Sequence, residues 1–323
     1  MLRWTRIVLM VFALVLVLQT AGVAALSPGS YTAGRYGLEL DGTFAGWLSS
    51  AEGGHAVADV VMEQLGPDRI VRKHIGAVKY EDITVTFGAD MARSVYQWIQ
   101  DTLDHKYTRK NGAIIAADYN GMVVSRMEFT NALMTEIGMP ALDAASKDAA
   151  KMTIKFSPEY TRRTKAQGGT VKATAPADKQ KQWLPSNFRL RIDGLESATA
   201  RVNKIDALVI KQKVTENPVG ESRDYQQEPA YLEVPNLVIT LAESDSDPLY
   251  DWFNASVIQG NNTERSGTLE YLSADMREVL FRVNFQGLGI FKLAPDKMEA
   301  GADQIRRVKA EMYCEDIRFT FGK

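Results

Sequence analysis

One pattern of alternating apolar residues occurs in both halves of the sequence, and this repetition constrains the fold more than any single motif. Each half begins with a strand pattern that runs into Asp-Gly, first at residues 36–40 before Asp41 and again at residues 188–192 before Asp193. A period of two places every second side chain on one buried face. The pattern therefore predicts a strand and a tight turn at the start of each half.

Further segments of the two halves are related by a spacing of 154 residues. Alternating apolar residues at Ile83, Val85 and Phe87 in the first half correspond to Leu237, Ile239 and Leu241 in the second. Apolar residues at helical intervals follow at the same spacing: Val95, Trp98, Ile99 and Leu103, then Leu249, Trp252, Phe253 and Val257. These intervals predict one amphipathic helix in each half, with Asp247 as the N-cap and Pro248 as the first helical residue of the second helix.

Two later strands complete each half. Met127 and Phe129 are predicted to match Phe281 and Val283, and residues 152–156 match residues 308–312 at a spacing of 156. Together these elements predict a mainly β (α+β) chain of two tandem β-sandwich or open-barrel units, each with one amphipathic helix. Chance alternation in two unrelated β-rich domains is the alternative explanation.

The predicted units occupy residues 36–160 and 187–323, and a basic segment separates them. Residues 161–186 contain six basic residues and one acidic residue, with Gly168-Gly169 and two prolines as chain breakers. This composition predicts a linker or a long exposed loop. A polyanion-binding arm is the functional alternative, and its basic residues are Arg162, Arg163, Lys165, Lys172, Lys179 and Lys181.

The N-terminal residues 1–25 have the composition of a secretory signal peptide. Arg3 and Arg6 precede an unbroken apolar run over residues 7–18, and small residues follow it. A signal anchor over residues 7–26 is the alternative, and contact with a membrane is expected only there, if the segment is not cleaved. Either interpretation predicts an exported or envelope-associated protein.

Composition and charge restrict the classes of function. The 323 residues carry 38 basic and 40 acidic groups, so no global positive field is available for nucleic acid, and we expect no specific nucleic-acid binding. The single cysteine, Cys314, excludes an intramolecular disulfide and any multi-cysteine metal site. Signatures of the common hydrolases, metalloproteases and nucleotide-binding proteins are absent from the sequence.

The remaining candidates for chemistry are weak. His55 and His74 are predicted on a loop and at a strand edge, and pairing either with Glu52 or Asp82 for acid–base chemistry is the alternative. Helix capping by Asp247 explains the acidic segment 244–251 better than a calcium site does. Cys314 is predicted as a buried thiol within a strand at residues 310–317. We therefore predict no catalytic, cofactor-binding or metal-binding residues, no cofactor, and no enzyme activity.

Three segments of the first half resemble a known family. Residues 40–54 (LDGTFAGWLSSAEGG), 72–85 (RKHIGAVKYEDITV) and 131–159 (NALMTEIGMPALDAASKDAAKMTIKFSPE) are similar to the phage tail proteins related to the tube subunits of contractile tails. The resemblance covers residues 36–160 well, whereas residues 187–323 share only the layout. It implies a β-sandwich with one helix, no catalytic residues, and subunits that join into rings whose strands form a continuous barrel.

The resemblance predicts a structural subunit (tube, hub or adaptor) of a phage-tail-like or injection-type particle that self-assembles through strand edges. The segment Gly53 to Ala77 is predicted to bridge neighbouring subunits. Two fused units suggest a trimer with pseudo-sixfold symmetry, and other tail or baseplate-like proteins are expected as partners. The cytoplasmic assembly of such particles conflicts with the leader. An exported, envelope-associated binding module of two β-sandwiches is therefore kept as the alternative.

Overall fold

A computed structural model of the chain describes residues 34–64, 70–165, 169–171, 183–218, 225–295 and 305–322. The predicted leader, residues 1–25, lies outside the described residues, as do Lys172, Lys179 and Lys181. Among the described residues, no helix is both long enough and apolar enough to cross a membrane.

The first half consists of eleven described strands and one helix, α1 (Arg93–Leu103). The strands are β1 (Arg35–Leu40), β2 (Thr43–Leu48), β3 (Ser50–Gly53), β4 (Ala56–Gln64), β5 (Val71–Tyr80), β6 (Ile83–Phe87), β7 (Lys110–Ala117), β8 (Val123–Met139), β9 (Leu142–Asp143), β10 (Met152–Ser157) and β11 (Tyr160–Lys165).

The second half has nine described strands and two short helices, α2 (Glu196–Thr199) and α3 (Asp247–Phe253). The strands are β12 (Phe188–Ile192), β13 (Val202–Ile205), β14 (Leu208–Pro218), β15 (Tyr225–Glu233), β16 (Leu237–Ala242), β17 (Arg265–Leu272), β18 (Val279–Pro295), β19 (Arg307–Tyr313) and β20 (Asp316–Phe321). With twenty strands in the described part of the chain, the predicted mainly β class is confirmed.

Six antiparallel strands occur in the same order in the two large sheets: β1, β7, β8, β10, β6 and β3 correspond to β12, β17, β18, β19, β16 and β13. Strand β2 is added at one end of the first sheet, and β9 is added at the opposite end of the second. In each sheet the longest strand, β8 or β18, has 17 residues and takes a further partner, β11 or β20. Each long strand therefore joins two groups of shorter strands into one sheet.

Alternation predicted the buried faces of the central strands correctly. Ile83, Val85 and Phe87 on β6 are fully buried, and so are Leu237, Ile239 and Leu241 on β16. Strands β1, β10, β12 and β19 also lie where the pattern placed them. Tyr36 is the exception on β1, because it is 38% exposed.

The predicted match of Met127 and Phe129 with Phe281 and Val283 is wrong by two residues. The pairing of β7 with β8 places Met127 opposite Ile114, and the pairing of β17 with β18 places Val283 opposite Leu269. Positions on the two long strands therefore correspond at a spacing of 156, which makes Val283 the counterpart of Met127. Residues added between the helix and the long strand in the second half cause the shift.

Helices α1 and α3 are held by equivalent hydrogen bonds. The indole Nε1 of Trp98 on α1 donates to the carbonyl of Thr108 at 2.8 Å, and that of Trp252 on α3 donates to the carbonyl of Thr263 at 2.8 Å. Each bond ties the buried face of the helix to the chain that leads into the next strand. The two tryptophans matched by the sequence repeat thus have one structural role in both halves.

The second helix differs from its prediction at both ends. Helix α3 begins at Asp247, so Ser246 occupies the N-cap position and the acidic residue lies one position inside the helix. A π-helical turn over Asn254–Ile258 follows the α-helix. Because the π turn changes the number of residues per turn, Val257 leaves the apolar face and is 44% exposed.

Strands are exchanged between the two halves. Strand β14 of the second half pairs with β8 of the first, and β9 of the first half pairs with β13 of the second. The predicted linker also begins inside the fold, because its first residues 161–165 belong to β11, and Trp183 near its end is only 1% exposed. Residues 33–323 accordingly form one compact unit.

Candidate assembly surfaces

The contact between the two halves is made by backbone pairing at a strand edge. Strand β14 lies antiparallel to the end of β8, with Lys211 opposite Glu136 and Leu208 opposite Met139. Leu208 and Ile210 on β14 are each 1% exposed. The strand edge is thus covered by both hydrogen bonds and apolar side chains, which is how a sheet edge is kept from pairing with other chains.

Polar contacts hold the hairpin β14–β15 onto the first half. The guanidinium of Arg109 donates to Glu159 Oε1 at 2.6 Å and also donates to the backbone carbonyl of Gln227 on β15. The side-chain amide of Gln227 donates to Ser157 Oγ at 2.7 Å. Arg109 and Glu159 therefore form a charged clamp around the backbone of the second half.

A third contact joins helix α1 to the last strand of the second half, β20. The ring of Tyr96 stacks on Phe319 and Phe321, with ring centroids 6.5 and 5.9 Å apart. Asp104, just past the helix, accepts a hydrogen bond from Arg318 at 3.3 Å. Burial raises the pKa of Tyr96, so its hydroxyl stays protonated and donates to the carbonyl of Ala89 at 2.6 Å.

The corresponding hairpin of the first half, β4–β5, is not incorporated in either large sheet. Among the described residues its two strands pair only with each other. Its apolar side chains are exposed, including Val60 at 57%, Met62 at 64% and Ile75 at 64%. The segment Gly53 to Ala77, predicted as a bridging arm, begins at the end of β3 and forms most of this hairpin, with residues 65–69 outside the described part.

The end of β18 also lacks the partner that its counterpart β8 has. Ile137 and Met139 on β8 are buried under β14, whereas their counterparts Leu293 and Pro295 on β18 are partly or fully exposed. In the described part of the chain, residues 292–295 pair with β19 on one side only. The pairing of hairpin β14–β15 with the end of β8 therefore has no equivalent among the described residues. The hairpin β4–β5 and the end of β18, which correspond to these two partners, do not pair with each other within the chain.

The residues considered for acid–base chemistry or calcium binding lie on several separate elements. His55 is next to one of its candidate partners, Asp82, because its backbone carbonyl accepts a hydrogen bond from the N–H of Glu81 at 3.0 Å. His55 is in the exposed turn before β4, His74 is exposed on β5, and His105 follows α1 with a positive φ of 57°. Asp247 and Asp251 are exposed on α3. Among the described residues, no three His, Cys, Asp or Glu side chains are grouped so that they could hold a metal ion.

Cys314 lies between two strands rather than within one, which corrects its predicted position. Strand β19 ends at Tyr313 and β20 begins at Asp316. The thiol donates to the carbonyl of Asp316 at 3.0 Å, and Cys314 is only partly buried. Desolvation by this burial raises the pKa of the thiol to about 11, so it is a poor nucleophile near neutral pH.

One cavity of about 410 Å³ lies beside β12 and α2. Its polar lining includes Arg189, Arg191 and Glu196, and it contains neither a histidine nor a cysteine. The Arg189 guanidinium is already directed to Glu270 at 3.0 Å, and Glu196 accepts a hydrogen bond from the backbone of Gly194. Two of the three charged residues of this cavity thus already bind other groups of the fold.

Sequence reasoning missed the residues that join the two halves. Arg109, Glu159 and Gln227 are separated by up to 118 positions in the chain, and no motif connects them. The only usable signal was the repeat itself, because it implied a second hairpin equivalent to β4–β5. The basic residues Arg162, Arg163 and Lys165 are exposed on β11, at the start of the predicted linker.

Comparison with known structures found contractile injection systems. The cap that terminates the tube of the anti-feeding prophage is 21% identical, with 41% of this chain and 89% of that chain covered and a TM-score of 0.35. The sheath/tube terminator of the extracellular contractile injection system PVC is 18% identical, with 42% and 96% covered and a TM-score of 0.37. The sheath–tube complex of PVC is 16% identical, with 47% of this chain and 95% of that chain covered and a TM-score of 0.35.

Comparison with curated proteins found no match. Among models of protein families, the T4-like virus tail tube protein gp19 matches residues 34–162. The matched segment runs from β1 to the beginning of β11, and includes α1 and the hairpin β4–β5. Residues 34–162 therefore match the tail tube protein family of T4-like viruses, and the resemblance predicted for residues 36–160 is confirmed.

Proposed function

We propose that this chain is a structural subunit (tube, hub or adaptor) of a phage-tail-like or injection-type particle, and that its copies assemble through strand edges. The family match over residues 34–162 supports a tail-tube-like first unit. In this proposal the second unit, residues 187–323, is a divergent copy of the first, joined to it through residues 161–186. The shared strand order and the two equivalent tryptophan hydrogen bonds support the duplication.

The observation that carries the proposal is the pairing of β14 with β8. There, one unit binds the edge of another by continuing its sheet, with apolar side chains and a charged clamp covering the junction. A protein that makes rings from such units needs a contact of this kind at every step. Each chain makes this β14–β8 contact internally, and in its described residues it retains the hairpin β4–β5 and the uncovered end of β18.

Assembly is tested by mass photometry and negative-stain electron microscopy of the purified chain over a range of concentrations. We expect closed rings or stacked rings, and three chains per ring would give six units with pseudo-sixfold symmetry. Particles that remain single chains at high concentration, without rings in the microscope, would contradict the proposal.

A specific observation favours a second candidate, an exported envelope-associated binding module. The charged and apolar pattern of residues 1–25 is that of a leader, and export would separate the protein from a tube assembled in the cytoplasm. N-terminal sequencing of the protein from cell fractions separates the two. A mature start near residue 26 in an exported fraction favours the binding module, and an intact N-terminus in the cytoplasm favours the particle subunit.

A further inference from the structure

We propose that the hairpin β4–β5 of one copy pairs with the end of β18 in a second copy, in the register by which β14–β15 pairs with β8 inside the chain. This inference rests on the proposed function and names the surfaces that would join the copies. The partner is a second copy of this chain because, among the described residues, the edge of matching geometry belongs to the second half of the chain itself.

The two halves correspond position by position around this contact. The long strands each contain one residue in the left-handed region, Asn131 with a φ of 51° and Gly287 with a φ of 65°, at a spacing of 156. Each long strand also has an irregularity against its neighbour, at Thr135 on β8 and at Phe291 on β18, again 156 apart. The edge offered by β18 is thus shaped like the edge that β8 offers.

The two hairpins correspond equally closely, at a spacing of 154. The register of β14–β15 shifts between Gln212 and Val214, and that of β4–β5 shifts between Ala58 and Val60. Beyond the shift, Glu216 lies opposite Gln227 and Met62 lies opposite Lys73. Because a bulge fixes the twist and direction of a hairpin, the two hairpins present equivalent edges.

These correspondences fix the register between copies. Lys211 lies opposite Glu136 within the chain, so Val57 of one copy lies opposite Lys292 of the next. In the same way, Ile210 lies opposite Ile137 within the chain, so Ala56 of one copy lies opposite Leu293 of the next. Ile210 is 1% exposed, whereas Ala56 on the other hairpin is exposed, as expected for a strand whose partner is another chain.

Charge complementarity supports the same register. Gln227, the residue held by the clamp, corresponds to the exposed Lys73 on β5. The clamp residues Arg109 and Glu159 correspond to Glu264 and Glu315, which are both exposed. The second half therefore offers two carboxylates where the first half offers an arginine and a glutamate, and the incoming residue has changed from neutral to basic.

The helix contact shows a similar change of charge. Within the chain, the Arg93 guanidinium lies 5.3 Å from the centroid of the Phe321 ring, and Tyr96 stacks on Phe319. At the corresponding positions of the other junction, Asp247 and Tyr250 on α3 replace Arg93 and Tyr96. Lys165 and Arg163 on β11 replace Phe321 and Phe319. Asp247, Arg163 and Lys165 are exposed in the single chain. An acidic helix end would thus meet a basic strand at the junction between copies.

A disulfide tests the register directly. In a Cys314→Ala background, Val57→Cys is combined with Lys292→Cys, because residues directly opposite on antiparallel strands lie close enough for a disulfide. Mild oxidation is expected to link most chains into covalent oligomers that dithiothreitol separates. Combining Lys292→Cys with Met62→Cys moves one cysteine five positions along the same hairpin, and this control should give little cross-linking.

The double variant Glu136→Cys with Lys211→Cys is the control for folding and oxidation, because it should form a disulfide within one chain. If rings form but the Val57→Cys and Lys292→Cys chains stay unlinked while this control is oxidised, the inference is overturned and the proposed function stands. Chains that remain single in every measurement overturn both.

Charge reversal gives an independent measurement. Lys73→Glu should weaken assembly at least about tenfold, measured as the concentration at half-assembly, because it places a third carboxylate beside Glu264 and Glu315. Adding Glu264→Lys and Glu315→Lys to the same chain should restore most of the loss. Lys147→Glu, an exposed loop substitution between β9 and β10, is the matched control and should leave assembly unchanged. Equal effects of Lys73→Glu and Lys147→Glu would contradict the inference.

Discussion

Among single residues, Glu270 shows how a nearly buried charge is stabilised. Its carboxylate lies between Arg282 at 2.8 Å and Arg189 at 3.0 Å, with its side chain only 11% exposed. Burial alone would raise its pKa, but the hydrogen bond and positive charge of Arg282, followed by the charge of Arg189, outweigh the burial and lower the pKa. A lowered pKa means that the ionised form favours the folded chain.

Glu270→Gln is therefore expected to lower the free energy of unfolding at pH 7 by about 1–2 kcal/mol. The stabilisation is complete above the ordinary carboxyl pKa of about 4.3 and is lost as the pH falls through the lower folded-state pKa. Urea unfolding of both chains at pH 7 and below pH 4 measures it. The difference between the chains should shrink in acid, and the exposed Glu228→Gln should show no such difference at either pH.

Cys314 allows a second measurement on a single residue. With a pKa of about 11, the folded chain at pH 8 holds only about one thiol in a thousand as thiolate, against roughly a quarter for an unperturbed cysteine. Alkylation by iodoacetamide at pH 8 should therefore be many times slower in the folded chain than in the chain unfolded in urea. Equal rates would show that the thiol is neither desolvated nor held by the carbonyls of Asp316 and Gln286.

The two helices are the elements whose equivalence is most easily measured. Trp98 and Trp252 are 0% and 3% exposed, and each donates one hydrogen bond to a backbone carbonyl. Trp98→Phe and Trp252→Phe should each cost about 2–3 kcal/mol of stability, because each leaves a small cavity and an unpaired carbonyl. Urea unfolding measures both. A loss below about 0.5 kcal/mol at either site would show that the hydrogen bond does not hold its helix.

The sequence pattern located some elements and missed others for a physical reason. Strands with one buried face, such as β6 and β16, impose a period of two on their own sequence, so alternation located them. The hairpin β4–β5 is exposed on both faces, and its residues carry no such period. Position 257 was wrongly placed on the buried face because a π turn leaves no local sequence signal.

The pairing between halves could not be predicted from either partner alone. A strand's periodicity shows which face is buried but not which strand lies beside it, so the union of β14 with β8 was missed. The same reason explains why residues 161–165 looked like linker. They are basic and mostly exposed, and only their backbone pairing with β8 places them in a strand. The surfaces that matter for assembly are therefore less visible in the sequence than the core.

At the scale of the whole molecule, exchanged strands should make the two halves unfold together. Ile210 of the second half is buried where β14 pairs with β8 of the first, and Leu142 on β9 is buried where it pairs with β13. Unfolding either half would expose apolar residues and unpaired backbone of the other. A single cooperative transition is therefore expected, rather than the two transitions of independent domains on a linker.

Ile210→Ala tests this coupling, because it removes apolar contact where β14 meets β8, in the hydrophobic core that the two halves share. It should lower stability by about 2–4 kcal/mol and shift one transition as a whole, with the calorimetric and van't Hoff enthalpies still equal. Differential scanning calorimetry and circular dichroism on the same samples measure both quantities. The control Ile258→Ala changes a side chain that is 71% exposed and should leave the transition in place. Two resolved transitions in the unmodified chain would show that the halves fold independently, and that pairing between β14 and β8 holds them together without coupling their stability.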